Sequence, residues 1–239
     1  ILLEGVVLTK ASGNSPLELW NPQWLNRLEV VKGPVGALYG NAYGGALIGS
    51  SLPPLQRLQN TTTGYAVLRS PGEGADGGWS MESGFSHTQR LSNRKHQAVH
   101  VRMFWNDMPG YREQEYNHRH QAEMHVLHTE KSGAEQRTWI GWMDAEWGLP
   151  GALNQSDANE NPTRGPGASY NAHVNRQRSW AGWSRTTQHD RSRNGFWVYG
   201  QLDAKANPFG PSPFFNFVKD EHGEFTSLLW SRAQSSTIC

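Results

Sequence analysis

The sequence has 239 residues, a formal net charge of +1, a hydrophobic content of 36% and a mean hydropathy of -0.69. A charge this close to neutral gives no indication of a nucleic-acid partner. No segment approaches the run of about 18 apolar residues that predicts a membrane-spanning helix. Cys239 is the single cysteine, which excludes a disulfide framework and a cysteine-based metal cluster.

The first informative segment is residues 26–48, where a charged strand is followed by a proline and a series of glycines. Leu28, Val30 and Val31 predict a short buried strand. Pro34 ends this strand, because proline has no amide hydrogen and a fixed φ. The charged residues of the strand are Arg27, Glu29 and Lys32. The glycines, which permit positive φ or close backbone approach, are Gly33, Gly36, Gly40, Gly44 and Gly45.

After a linker at 50–58 that contains Pro53 and Pro54, the sequence changes to alternating strands separated by polar turns. The predicted strands are 61–70, 78–88, 95–106, 118–130, 135–147, 176–188, 194–205 and 223–232. Most are ten to thirteen residues long. A strand of this length exceeds the usual strand of a soluble sheet and suits a tilted strand that crosses a bilayer.

Four of these strands alternate clearly between an apolar and a polar face. A soluble sandwich alternates as well, so the period alone does not decide the class; in a membrane barrel the apolar face is the outward one and the polar face the inward one. The residues expected on the outward face are Val99, Val101, Met103, Trp105, Ala122, Met124, Val126, Trp139, Met143, Ala145, Trp147, Phe196, Val198, Leu202 and Ala204. The inward charges, which are candidate lumen or ligand-facing residues, are Arg102, Glu123, Asp144 and Glu146.

The connections between strands differ in length. Those at 89–94, 131–134 and 189–193 are short, whereas those at 107–117, 148–175 and 206–222 are long and rich in proline, glycine and asparagine. The first connection, 71–77, is a short exception. Alternation of short turns and long loops is typical of outer-membrane barrels.

The string from Glu29 to Pro34, followed by Ala37 to Gly40 and by Gly44-Gly45, resembles the last part of the plug domain of TonB-dependent outer-membrane receptors. The strands that follow resemble the beginning of the barrel. The implied fold is all-β: a partial transmembrane antiparallel β-barrel, about 8 of 22 strands, preceded by the end of a small α+β plug domain. The expected divisions are plug 1–52, linker 53–60 and barrel 61–239.

This resemblance implies energised uptake of a scarce nutrient across the bacterial outer membrane, with a ferric siderophore or a ferric citrate type chelate as ligand. The implied partners are a TonB-type inner-membrane complex, outer-membrane lipid and the ligand, with no nucleic acid and no resident cofactor. It also implies charged contacts between plug and barrel, for which Arg27, Glu29 and Lys32 are the plug-side candidates. We expect the sequence to be a fragment that lacks the segment coupling it to TonB.

Other interpretations remain open. A soluble, secreted all-β protein that binds or cleaves carbohydrate would use tryptophans to line one cleft and Asp144 and Glu146 as carboxylates. A passive porin would need no plug-like region. His118 and His120 would share one face of a strand and could chelate a metal, but we expect polar residues of this kind where a strand leaves the membrane. The sequence contains no recognisable catalytic motif, so no enzyme is expected.

Overall fold

The computed structural model describes residues 1–4, 6–7, 21–33, 44–53, 55–70, 78–91, 96–165, 172–189, 192–209 and 217–234. Its strands form two sheets. The small sheet has four strands in the order β2-β1-β4-β3, and the large sheet has eight strands in the order β12-β11-β10-β9-β8-β7-β6-β5. No helix in the described part of the chain is long and apolar enough to cross a membrane.

The small sheet consists of β1 (Leu2–Leu3), β2 (Val6–Val7), β3 (Arg27–Lys32) and β4 (Gly45–Ser50). β1 pairs with β4 in parallel, and the other pairs are antiparallel. A short 3-10 helix, Pro22–Trp24, precedes β3, and another, Leu55–Arg57, follows β4. Pro34 and Gly40 of the sequence motif lie outside the described residues.

β3 is less buried than the sequence predicts. Leu28 and Val30 are at least half exposed, so the prediction of a buried strand is wrong for these two side chains. Among the described strands, β3 lies at the edge of the small sheet and pairs with β4 alone.

The large sheet is a meander in which each strand pairs antiparallel with the next. All eight predicted strands are present, and the all-β prediction is confirmed. The strands are β5 (Thr61–Arg69), β6 (Ser80–Arg90), β7 (Gln97–Met108), β8 (Asn117–Thr129), β9 (Glu135–Gly148), β10 (His173–His189), β11 (Ser192–Phe209) and β12 (Phe217–Gln234).

The connections divide the large sheet into two ends. At one end, called the long-loop end, the strands are joined by residues 70–79, 109–116, 149–172 and 210–216. At the other end, the short-turn end, they are joined by 91–96, 130–134 and 190–191. The predicted alternation of length is confirmed, and the first connection is no exception. The last loop is shorter than predicted because β11 and β12 are longer.

The loop at 149–172 contains a short helix that the sequence analysis did not predict, α1 (Gln155–Glu160). The Asn154 side chain caps it by accepting a hydrogen bond from the backbone N–H of Asp157, at 2.8 Å. An asparagine in this position satisfies an amide that would otherwise have no partner in the first turn.

The two faces of the large sheet differ in polarity. One face, the inner face, carries buried Arg102, Glu123 and His125, whereas the opposite, outer face carries exposed Met103 and Trp105. The predicted orientation of β7, β8 and β11 is confirmed by the burial of their alternating residues.

The predicted orientation of β9 is wrong. Trp139 and Met143 lie on the inner face, with 3% and 1% of their surfaces exposed, whereas Ile140 and Trp142 point outward and are 54% and 45% exposed. The inner face is packed with side chains in this region, so aromatic rings are buried there as well. Trp139 contacts Tyr199. The others turned inward are Ala145, which is buried, and Trp147, which is partly buried.

Tryptophan rings on the inner face lie over glycines of the neighbouring strand. Trp139 is paired with Gly182 and Trp180 with Gly141. A β-carbon on either glycine would lie 2.2 Å from the facing ring. Glycine therefore allows each ring to lie flat against the sheet instead of projecting from it.

A substitution at Gly45, in the turn that leads into β4, tests whether the small sheet depends on this glycine. This residue has φ of +132°, and a β-carbon there would lie 2.2 Å from the carbonyl oxygen of Val31. We expect Gly45→Ala to destabilise the small sheet by about 1–3 kcal/mol, the cost of a strained backbone conformation. Hydrogen exchange of the β3–β4 amides measures the effect.

The matched control for Gly45→Ala is Gly44→Ala, because no heavy atom lies within 4 Å of a β-carbon at Gly44. Equal effects of the two substitutions would contradict the argument from backbone strain.

Candidate functional site between the two sheets

The small sheet and its flanking segments contact the inner face of the large sheet through polar side chains. We call this contact region the seam. On one side it contains Glu4, Gln23, Trp24 and Leu52, and on the other Glu82, Arg102, Glu123, Arg137 and Trp180.

Glu4 joins three parts of the chain. One carboxylate oxygen accepts hydrogen bonds from the backbone N–H and the hydroxyl of Ser51, and the other forms an ion pair with Arg137 of β9. Arg137 also donates to the carbonyl oxygen of Leu52, at 3.4 Å. Glu4 has a positive φ of 53°, which is uncommon for a residue other than glycine. Such a conformation persists where surrounding contacts determine it.

Arg102 and Glu123 form the second contact of the seam. They are cross-strand partners in β7 and β8, and Arg102 Nε donates to Glu123 Oε2 at 2.7 Å. Trp180 of β10 donates to the other carboxylate oxygen at 3.0 Å. Both charged side chains are buried, and each compensates the charge of the other, which would be costly to bury alone. His125 Nε2 lies 3.1 Å from the same carboxylate.

The fixed guanidinium of Arg102 then holds Trp24. Its Nη1 donates to the carbonyl oxygen of Trp24 at 3.0 Å, and its Cζ atom lies 4.4 Å from the centroid of the Trp24 ring. This position over the ring allows a cation–π interaction. Next to Trp24, the Gln23 amide donates to Glu82 of β6 at 2.6 Å. The 3-10 helix is therefore anchored to two strands, β6 and β7.

The segment after β4 closes the seam at the short-turn end by apolar packing. The residues of this buried cluster are Leu52, Leu55, Leu58, Ala98 and Leu127. Arg90 of β6 donates to the carbonyl oxygen of Leu58 at 3.2 Å. The seam thus combines buried ion pairs with one apolar cluster.

The predicted plug-side charges do not make these contacts. Arg27 and Glu29 form an ion pair with each other. Among the described residues, neither they nor Lys32 form a hydrogen bond or an ion pair with the large sheet. Gly33 has φ of +100° at the end of β3, and Gly44 precedes Gly45 at the start of β4.

The predicted lumen charges divide into two pairs. Arg102 and Glu123 lie on the inner face, as expected. Asp144 and Glu146 do not, because β9 is turned so that they share the outer face with Ile140 and Trp142. Near the long-loop end, Glu146 accepts a hydrogen bond from the Tyr116 hydroxyl at 2.7 Å. Burial, and then the hydrogen bond to this carboxylate, raise the pKa of Tyr116.

Polar residues also lie on the outer face at the long-loop end. His118 Nδ1 is 2.7 Å from a carboxylate oxygen of Asp107, and the His120 ring stacks on Trp105 with 3.6 Å between centroids. In the described part of the chain, no group of three or more histidine, cysteine, aspartate or glutamate side chains is placed to hold a metal ion.

Two loops at the long-loop end are joined into one unit. The Arg112 guanidinium donates to the carbonyl oxygens of Gly151, Pro150 and Arg164, at 2.7, 3.2 and 3.1 Å. The backbone N–H of Glu113 donates to the carbonyl of Thr163 at 2.9 Å. These bonds fix the 109–116 loop against the 149–165 segment.

The comparisons with known proteins concern the fold. The structure is similar to that of the ferric-catecholate import receptor Fiu from E. coli K12 in its open form, with a TM-score of 0.59 and 13% sequence identity. The chain has the fold of part of a TonB-dependent receptor. The match covers 88% of this chain but 36% of the Fiu chain, so the sequence spans about a third of that receptor. No protein-family model matches the sequence, and the search of curated proteins finds no match.

Removal of the Glu4 charge tests the first contact of the seam. Glu4→Gln leaves Arg137 without its carboxylate partner. We expect a loss of about 3 kcal/mol, at the lower end for a broken buried ion pair, because the Arg137 side chain is still 18% exposed. Denaturant unfolding in detergent measures the loss.

Glu29→Gln is the matched control for Glu4→Gln. Its carboxylate is 41% exposed and pairs with an exposed arginine, so its removal is expected to cost less than about 0.5 kcal/mol. Equal losses in the two variants would mean that the Glu4 contact contributes nothing specific to the seam.

A second prediction concerns the turn at 130–134. Hydrogen bonds from Arg185, Gln136 and Ser132 hold the pKa of Glu130 well below its ordinary value of 4.5. The contact therefore stabilises the turn above pH 4.5 and is lost as the pH falls through the folded-state pKa. We expect an NMR titration midpoint below 4.5 that rises in Arg185→Met. A midpoint unaffected by this substitution would contradict the assignment.

Proposed function

We propose that the chain forms the end of the plug and the first part of the barrel in a TonB-dependent receptor, which imports an iron chelate across the bacterial outer membrane. The observation that carries the proposal is the position of the small sheet. It lies against the inner face of a long-stranded antiparallel sheet whose outer face is apolar. The division proposed is plug 1–52, linker 53–60 and barrel 61–239.

The outer face has the chemistry of a lipid-facing surface. Exposed apolar side chains of β7, β8, β9 and β11 form an apolar band, in which β10 contributes the small exposed residue Ala181: Met103, Trp105, Met124, Ile140, Trp142, Val198 and Leu202. In water such a band would be a large exposed apolar patch. In a bilayer it is the surface that a barrel presents to hydrocarbon, with polar residues beyond it towards both ends.

The seam supports a mechanism in which the plug closes the barrel until it is pulled. Glu4–Arg137 and Arg102–Trp24 hold the plug to the wall through buried polar groups. When water enters, each of these groups can exchange its partner for water, which offsets much of the cost of separation. A contact of this kind is stable at rest and can be opened by applied work. The TonB-type inner-membrane complex is the proposed source of that work.

The long-loop end is the proposed outer surface, where the ligand is captured. The loops at 109–116 and 149–165 are fixed to each other by Arg112 and so provide an ordered surface. Fiu imports ferric catecholates by its description, and we extend the proposal to a ferric siderophore or ferric citrate type chelate.

A soluble carbohydrate-binding or carbohydrate-cleaving protein is the alternative of a different class. It would gather its tryptophans in one cleft, whereas here Trp105 and Trp142 are on the outer face and Trp139 and Trp180 on the inner face. Asp144 and Glu146 lie outside the lumen and do not line a cleft with these rings. A passive porin would not need the small sheet.

The experiment measures import directly. Cells that express the whole protein are supplied with a radioactive ferric catecholate or ferric citrate under iron limitation. We expect uptake that requires an intact TonB complex, and binding without uptake when that complex is deleted. Recovery of the protein in the soluble fraction would contradict the proposal, and so would uptake that is unchanged when the TonB complex is deleted.

Variants of the outer face test the membrane assignment in the same cells. Ile140→Arg places a charge in the apolar band and is expected to destabilise the barrel in a bilayer by about 2–4 kcal/mol. The rate of uptake and the amount of folded, heat-resistant protein in the membrane should therefore decrease together. Gln177→Arg is the control, because Gln177 is an exposed, polar outer-face residue nearer the long-loop end. Equal tolerance of both charges would argue against a lipid-facing surface.

A further inference from the structure

A depression lies in the outer face of the large sheet, within the apolar band. Its volume is about 700 Å³, which is room for roughly twenty groups of the size of a water molecule. Its walls include Trp142 of β9 and Leu202 of β11, whose side chains are 45% and 60% exposed. Its floor is formed by small residues of β8, β10 and β11: Ala122, Ser179, Ala181 and Gly200.

The register of the sheet produces this depression. Ser179 of β10 lies directly between Trp142 and Leu202. The next outward residue of β10 is Ala181, which is paired with Gly200 of β11. Small side chains on β10 therefore lie beside large ones on β9, and β10 is recessed at this height of the sheet.

The depression lies directly behind the Glu123 contact of the seam. Glu123 of β8 and Trp180 of β10, which are hydrogen-bonded to each other on the inner face, also contribute to the lining of the depression. Their side chains point to the opposite face, so it is the backbone that separates the depression from the seam. The wall is thin where it holds the small sheet.

The surroundings of the depression indicate what fills it. Under the proposed function the outer face lies in a bilayer, and the depression is continuous with the apolar band that faces hydrocarbon. An unfilled depression would lose the dispersion contacts of its lining. The group that a bilayer supplies to fill it is a fatty acyl chain.

A carboxylate marks the polar end of such a chain. Asp144 is the next outward residue of β9 after Trp142 on the long-loop side of the depression, and it is partly buried. On the short-turn side, the rings of Trp183 and Phe196 pack edge to face, with 6.0 Å between their centroids. A lipid in the depression therefore has its polar end at Asp144 and its apolar end towards these two rings.

Asp144 has no cation beside it. In the described part of the chain, its side chain forms no hydrogen bond and no ion pair, whereas Asp107 is paired with His118. Its register partners are the neutral Gln177 and His120, and the ring of His120 stacks on Trp105 instead.

The charge around Asp144 is negative. At the long-loop end, the described outer-face residues of β7–β11 include Asp107, Asp144 and Glu146 but no lysine or arginine. The undescribed parts of the long loops, 71–77, 166–171 and 210–216, contain no lysine, arginine or histidine in the sequence. A lipid with a net negative headgroup would therefore be repelled here, whereas an ammonium group would be attracted.

We propose that the depression binds one acyl chain of a phospholipid whose headgroup ends in a primary ammonium, and that this ammonium pairs with Asp144. The bound chain fills the thin part of the wall behind the Glu123 contact. The proposal rests on the membrane assignment made under the proposed function, but it does not depend on the cargo or on the TonB-type complex.

Native mass spectrometry of the whole protein, folded in detergent, counts the lipids that remain bound. The protein is mixed with phosphatidylethanolamine and phosphatidylglycerol, which carry the same acyl chains and differ in headgroup charge. We expect one retained lipid per molecule, with phosphatidylethanolamine favoured about fivefold, the contribution of one partly exposed ion pair. Equal retention of the two lipids, or a preference for phosphatidylglycerol, would overturn the proposal.

A charge variant tests the headgroup contact. Asp144→Asn should remove the preference for phosphatidylethanolamine. Glu160→Gln is the matched control, because it removes an exposed carboxylate of α1, outside the large sheet, and it should keep the preference. A preference that survives in Asp144→Asn would overturn the proposal.

A filling variant tests the position of the acyl chain. Ala181→Leu places a larger side chain on the floor and should lower the retention of both phospholipids by about fivefold or more. Ala66→Leu is the same change on the outer face of β5, away from the depression, and should leave retention unchanged. If Ala181→Leu does not fold, Ser179→Leu serves in its place. Unchanged retention in whichever of the two folds would overturn the proposal.

The same measurement distinguishes other occupants. Preferential retention of added lipid A, the phosphorylated saccharide lipid of the outer leaflet, would overturn the proposal, and so would a protein dimer without bound lipid. A folded, heat-resistant barrel that retains no lipid would overturn this proposal alone and leave the membrane assignment intact. Failure of the whole protein to form such a barrel would overturn both.

Discussion

The buried carboxylate of Glu123 is the interaction on which the arrangement of the seam depends. The buried carboxylate is stable because it accepts hydrogen bonds from Arg102 of β7 and from Trp180 of β10. The same bonds fix the Arg102 guanidinium, whose remaining donor and flat face then hold Trp24. The contact between the sheets therefore rests on a polar group of the large sheet that would be costly to leave unpaired.

This dependence explains why the inner face contains both charges and aromatic rings. Trp139 and Trp180 lie flat over Gly182 and Gly141, so the surface is smooth between the polar anchors. Charged groups and the leucine cluster of the 52–58 segment hold the small sheet in place, and the rings fill the space between these contacts. Under the proposed function, in which the small sheet belongs to a plug, such a surface resists separation at a few points only.

The positions of the strands could be predicted because their signals are local. Alternation and turn residues lie within about ten residues of each other, and charge on one face alone fixed the orientation of β7 and β8. β9 failed this test because Trp139 and Trp142 place a large ring on each face. The N-cap of α1 is also a local signal, because Asn154 stands three residues before Asp157.

The seam could not be predicted from local patterns. Glu4 and Arg137 are 133 positions apart, and Trp24 and Arg102 are 78 apart. The residues around Glu4 do not indicate its partner. They show only that a carboxylate lies between two apolar pairs, Leu2-Leu3 and Val6-Val7. The motif charges Arg27 and Glu29 are conspicuous in the sequence, yet they satisfy each other. Long-range pairing of this kind depends on how the two sheets pack against each other. The periodicity of a single strand carries no information about that packing.

The order of the anchors along the chain has a mechanical consequence. Glu4 precedes Trp24, and Trp24 precedes the leucines of the 52–58 segment. A force applied ahead of β1 would load the Glu4–Arg137 bond first and reach the others only after it had ruptured. The attachment would peel instead of shearing, so the peak force would be set by the strongest single anchor and not by their sum.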